Sequence, residues 1–313
     1  MRIITILMML LMTTTLYARD QINIVGSSTV YPFSTVVAER FGKSGKFKTP
    51  VIESTGTGGG MKLFCAGIGV NTPDMSNASR KIKAKEIKLC KNNGVTDITQ
   101  VMVGLDGIAF TSSVKGKEYN FTKKHLWEAM ADLGSKPIKW SDIDPSLPDY
   151  KIAILTPPAT SGTRDAWNSL VMKKGCPKEI LKEKGKKACY LLREDGPVIE
   201  VGENDTLIIN KLVGEPSYFG IFGFSYYDNS KDKVQAHKIE GIEISLKAIQ
   251  DGSYPISRPL FFYVKNQHKG VIPGVEEYVK EFTSNRAAGK RGYLLDLGLV
   301  PLKNLKDAVS KVE

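Results

Sequence analysis

Short apolar runs alternate with longer amphipathic stretches along most of the chain. Ile22–Val25 reads as a strand, and after a Gly-Ser-Ser-Thr turn the segment Thr35–Phe41 reads as a helix, with Pro32 placed where a first-turn proline fits. Val51–Ser54 predicts a second strand, the glycine-rich run from Gly56 to Gly60 a turn, and Met61 to Ala66 a helix. Lys151–Leu155, the turn at Thr160-Ser161-Gly162-Thr163 and the stretch Arg164–Met172 give strand, turn and helix again, with Ala166, Leu170 and Val171 on the apolar side. This recurrence predicts an α/β fold with largely parallel strands. In such folds ligands sit where loops leave the carboxyl ends of strands.

The first stretch breaks this pattern. Met1 and Arg2 give a positive start, Ile3–Met12 is apolar apart from Thr5, and Leu16-Tyr17-Ala18 precedes Arg19-Asp20 like a signal-peptidase site. Residues 1–18 therefore read as a secretory leader, too short in its apolar run for the roughly 20 residues of a spanning helix. The full length of 313 residues suggests about two domains. With 42% hydrophobic and 25% charged residues, the composition excludes a disordered chain, a collagenous repeat and a multi-span membrane protein. Lys and Arg exceed Asp and Glu by 11, and loss of Arg2 with the leader leaves +10, so the exported chain attracts anions. The Lys-rich segments 81–91 and 182–187 lack interleaved aromatics, which argues for solvated helix faces rather than nucleic-acid contacts.

Export makes the four cysteines legible as disulfides. Pairing of Cys65 with Cys90 and of Cys176 with Cys189 closes two local loops and is preferred among the three possible connectivities. The three histidines, His125, His237 and His268, are scattered without Cys/His ligand spacing, so no metal site and no cofactor are expected. The tryptophans and the aromatic run Tyr218–Tyr227 read as packing, not as a site.

Three loops carry the candidate chemistry: Ser27-Ser28-Thr29, Thr55-Gly56-Thr57-Gly58 and Ser161-Gly162-Thr163. Each joins small residues and hydroxyls to a helix start. Free amides there, aided by the helix dipole, hold an anion without a full countercharge, and glycine lets the backbone approach closely. Singly, each is an ordinary turn and cap. Their recurrence after strands suggests a shared oxyanion.

The residues Gly26–Phe33, Ser54–Lys62, Asn77–Ile82, Thr160–Ala166 and Tyr254–Leu260, with Gly292-Tyr293 to Pro301-Leu302, resemble the motif series of the periplasmic phosphate-binding proteins that serve ABC phosphate importers. The resemblance runs through nearly the whole mature chain. It implies a type 2 periplasmic binding protein, in which two α/β lobes with mixed sheets, joined by crossing hinge strands, close over the anion. On that pattern residues 19–105 and 261–313 form one lobe and 106–260 the other, so that each preferred disulfide lies inside one lobe. The implied function is extracytoplasmic binding of inorganic phosphate and its delivery to the membrane subunits of an ABC permease. The chain would act as a monomer, without catalysis and without nucleic acid.

The resemblance assigns anion contacts to Ser28, Thr29 and Val30, to Thr57, to Ser79 and Arg80, and to Ser161, Gly162 and Thr163. Where some members carry a proton-accepting Asp this chain has Ser79, and where others carry an Arg four residues before the motif serine it has Pro157, which passes the cationic role to Arg164. Phosphate keeps a proton near neutral pH and sulfate does not, so discrimination needs an acceptor, and a carboxylate repels the wrong ligand. Asp74, Asp165 and Asp205 are the candidates, with Asp165 equally suited to orienting Arg164. Two other readings stay open: a binding protein for sulfate, molybdate or a phosphonate on the same fold, and a secreted phosphatase using Ser28 or Ser161 as nucleophile. The latter lacks any accompanying GxSxG, HExxH or His/Asp cluster.

Overall fold

Strand β1 (Asn23–Gly26) is followed by helix α1 (Tyr31–Lys43), β2 (Val51–Ser54) by α2 (Gly56–Phe64), and β3 (Met75–Ala78) by α3 (Ala84–Asn92). This computed structural model describes residues 19–159, 161–202 and 204–312, and the predicted leader 1–18 lies outside the described residues. In α1 the residues Phe33, Val37, Ala38 and Phe41 recur at helical spacing and are buried, while Arg40 and Lys43 stand in the last turn, where the helix dipole favours cations. The glycine run predicted as a turn is instead the first half of α2.

The long strand β4 (Ile98–Ser113) organises the rest. It is followed by β5 (Asn120–Phe121), α4 (Lys123–Met130), β6 (Ile154–Thr156) and α5 (Gly162–Trp167), then by β7 (Val198–Glu200), β8 (Phe219–Gly223), β9 (Val234–Ala236), β10 (Lys238–Ile239), β11 (Ser257–Lys265) and β12 (Val309–Lys311). One mixed sheet runs β2-β1-β3-β11-β4-β8-β6-β7, with β12 and β9 also on β4 and with β5 and β10 paired separately. β1, β2 and β3 are parallel, as are β6, β7 and β8, whereas β11 runs antiparallel to both β3 and β4. From Ile98 to Gly107, β4 pairs with β11, and from Ile108 to Ser112 it pairs with β8. It therefore changes partner at Gly107/Ile108.

The core divides about the same point. Beyond it, Phe110, Trp140, Trp167 and Phe219 pack with Met130 and Leu155, and before it α1 and the helix Val275–Phe282 cover one face of the first strands. Met61, Phe64 and Val95 form a smaller cluster around the Cys65–Cys90 disulfide, and Cys176 is bonded to Cys189. Both bonds are the expected local pairs. Among the described residues no helix is long and apolar enough to cross a membrane.

Candidate functional site

The exits of β1, β2 and β3 are stitched together. The Ser27 amide donates to the Asn77 carbonyl and the Thr55 amide to the Gly26 carbonyl, both at 2.9 Å. A β-carbon at Gly60 would stand 2.4 Å from the Gly26 Cα, so glycine at this one point lets α2 press against the turn that leaves β1. Neither α1, with Val30 at its N-cap, nor α2, with Thr55, has a side-chain cap, so their first-turn amides take no hydrogen bond from a capping side chain. Thr57 Oγ1 lies 3.2 Å from Ser79 Oγ and accepts the Ser79 amide at 3.1 Å, tying the start of α2 to the end of β3.

The loop before α5 comes from the other side of β4 and meets the first turn directly. Ser161 caps α5, its Oγ accepting the Thr163 amide at 3.2 Å. A β-carbon at Gly162 would stand 2.7 Å from the Thr29 Cα and 3.4 Å from the Ser28 carbonyl oxygen, and the Thr29 hydroxyl donates to the Gly162 carbonyl at 3.4 Å. Thr29, Ser161, Gly162 and Thr163 line a cavity of about 210 Å³ together with Asp106, Asp205 and Tyr226. Ser28, Val30, Thr57, Ser79, Arg80 and Arg164 are not among the described residues lining it.

The charged candidates separate. Arg80 grips Glu86 in a bidentate pair at 2.9 and 2.7 Å; burial pushes the Glu86 carboxyl up, but Arg80 and the Lys83 amide outweigh it and hold it below its usual value. Arg80 thus serves the start of α3. The buried Arg164 turns back to donate to Thr156 Oγ1 at 3.1 Å and to the Pro157 carbonyl at 3.0 Å. Its guanidinium rests on the very residue that stands in the sequence position of the family arginine. Burial lowers its pKa, with Glu200 opposing.

Asp74 precedes β3, at the end opposite the loops, where it accepts from Arg19 at 2.6 Å and the Asn23 amide at 2.7 Å and lies 2.5 Å from His268 Nδ1. That removes it from the acceptor candidates. Asp165 is 55% exposed and lies 3.7 Å from Arg258, so it is not orienting Arg164. Asp205 lines the far wall of the cavity, its Oδ2 3.5 Å from the Gly223 amide that donates to it.

A model of the PBP superfamily domain matches residues 13–286. The chain belongs to the PBP superfamily. It is 30% identical to the protein SphX of Synechococcus elongatus over 88% of this chain and 76% of that one. It is 28% identical to the phosphate-binding protein PstS of Staphylococcus saprophyticus over 92% and 83%. Among solved structures, a possible phosphate binding protein from Planctomyces limnophilus superposes with a TM-score of 0.75 at 28% identity, covering 92% of this chain and 95% of that one. PstS from Borrelia burgdorferi has the same fold, with a TM-score of 0.64 at 20% identity over 91% and 100%.

Within this PBP fold, two charged residues that sequence reasoning left without a role face each other. Arg258 and Asp106 are register partners on β11 and β4, at the place where β4 changes partner. Arg258 donates to Thr29 Oγ1 at 2.6 Å and to Ser169 Oγ at 3.3 Å, and its Nε lies 3.5 Å from Asp106 Oδ2 without hydrogen-bond alignment. The signal available in the sequence was a lone carboxylate and a lone guanidinium inside apolar strands, where an unpaired charge is costly. Tyr226, read as packing, also reaches the cavity wall.

Proposed function

We propose that this chain captures inorganic phosphate outside the cytoplasmic membrane and delivers it to an ABC-type phosphate import permease. The observation that carries this reading is the contact between the Ser28-Thr29 turn and Gly162, two Ser/Thr/Gly loops 133 residues apart that meet at one cavity. Relatives named phosphate-binding protein, and the phosphate binding named for the Planctomyces limnophilus structure, support the ligand. The ligand contacts are the amides of Ser28, Thr29 and Val30, the Thr57 and Ser79 hydroxyls, and the Ser161-Gly162-Thr163 loop, with Arg164 supplying positive potential from behind it. Carboxylates at the cavity make hydrogen bonds, rather than net countercharge, the main holding force.

Residues 19–105 with 261–313 form one lobe and 106–260 the other, and β4 and β11 act as the hinge. Phosphate bridges the lobes, so the closed form gains contacts that the open form lacks, as a ligand-driven population shift requires. No bond is made or broken. The leader 1–18 directs export, and the closed monomer docks on the permease.

Titration calorimetry tests this reading. Phosphate and arsenate should bind at one site per chain, and excess sulfate or molybdate should not displace them. Displacement by either would reassign the ligand, and phosphate release from a phosphomonoester by the pure protein would make it an enzyme.

A further inference from the structure

We propose that Arg258 is the positioning residue that locks the two groups of loops together over the anion: its guanidinium commits the Thr29 hydroxyl to donating into the cavity and at the same time ties the Thr29 turn to the helix that starts at Gly162. The proposal rests on the phosphate-binding reading above and adds the residue that slows the ligand's escape.

The reach of this one side chain is set by the sheet. Arg258 is on β11 opposite Asp106, close to where β4 passes from β11 to β8. From there Nη2 donates to Thr29 Oγ1 at 2.6 Å, in the turn that leaves β1. Nη1 donates to Ser169 Oγ at 3.3 Å, in the π-helical turn Asn168–Met172 that continues α5. Asp165, on the same helix face as Ser169, lies 3.7 Å from Nη2, and Asp106 Oδ2 is ion-paired with Nε at 3.5 Å. One buried guanidinium therefore touches the first turn, α5 and the strand between them.

The chemistry follows from a guanidinium having donors only. Thr29 Oγ1, engaged as an acceptor from Arg258, must send its own hydrogen elsewhere. That hydrogen goes to the Gly162 carbonyl at 3.4 Å, a long bond, and an anion oxygen in the cavity that Thr29 lines is the better acceptor. Ser169 is fixed in the same way, accepting from Arg258 and donating to the Ala166 carbonyl at 3.0 Å.

Thr29 and Ser169 stand on opposite sides of β4, so separation of the two sides breaks one arm of the fork. Both arms are made only in the closed form, and losing one costs a buried, charge-assisted hydrogen bond. Contacts of this kind slow release without speeding capture, because the open form that an anion first meets does not have them.

The test loads the wild type, Ser169→Ala, Arg258→Lys and the double variant with radiolabelled phosphate and reads the dissociation rate by a chase with unlabelled phosphate. Calorimetry gives the affinity, and thermal melts without ligand report the fold. Ser169→Ala removes one arm and should raise the dissociation rate about fivefold. Arg258→Lys keeps a charge opposite Asp106 but has no planar fork to hold two hydroxyls, and should raise it about tenfold or more. The association rate should stay within about twofold of the wild type, and the double variant should release phosphate no faster than Arg258→Lys alone. A residue that serves only the fold would lower the melting temperature and leave the dissociation rate unchanged, and that result in either folded variant overturns the proposal. So does an affinity loss carried by the association rate, which would make Arg258 an attracting charge, or a double variant in which the two effects add. Should Arg258→Lys not fold, the dissociation rate of Ser169→Ala decides alone. A wild type that binds no phosphate fails at the functional reading itself, and the role of Arg258 falls with it.

Discussion

At Gly162 the side chain matters by its absence. Any β-carbon would have to occupy space 2.7 Å from the Thr29 Cα, a backbone atom that cannot swing aside. Gly162→Val should therefore push the two loops apart and weaken phosphate binding by about tenfold or more, with little change in the circular dichroism spectrum; calorimetry with full wild-type affinity would take this loop out of the site. The hydroxyls and glycines of these loops were legible because small and hydroxylated residues after strands have few other purposes in combination. Asp106 and Arg258 were not, because each stands alone in an apolar strand and only the β4–β11 register makes them a pair. Arg164 was legible as a cation near the loop, but its backward turn onto Pro157 depends on the end of β6 and leaves no trace in local spacing.

Among the elements, β11 shows how burial and charge are traded. Its last residue, Lys265, is fully buried and donates to the Gly67 carbonyl and Thr72 Oγ1, both at 2.7 Å. Burial pushes its pKa down to about 8 from 10.5, with Asp74 opposing and Arg19 adding to the fall. Between those two values the unfolded chain binds more protons than the fold, so this residue's contribution to stability rises with pH, and below about pH 8 the fold bears its full cost. In urea unfolding, the stability of the wild type relative to Lys265→Met should thus improve by about 2 kcal/mol from about pH 7 to about pH 9.5; a constant difference would mean that the ammonium is not perturbed. The strand, loop and helix units were visible from apolar spacing alone. The glycine run misled, because glycine's low helix propensity predicts a turn, whereas the contact of Gly60 with Gly26 rewards a helix there.

Across the whole molecule, the sequence announced a basic α/β chain with two local disulfides, and the structure has them. It did not announce that one strand, β4, would serve both halves of the sheet, since the residue pattern of a 16-residue strand does not reveal where it changes partner. That change of partner is what brings distant loops to one cavity, and it is also where a hinge would act. Phosphate capture on this fold therefore requires loops from both sides of β4 to grasp the same anion. A crystal structure of the phosphate complex tests this most directly. It should show one phosphate with donors at ~3 Å from the Ser28–Val30 turn or Thr57 on one side and from Ser161–Thr163 on the other, and a phosphate held by only one of these sides, or elsewhere on the protein, would contradict it.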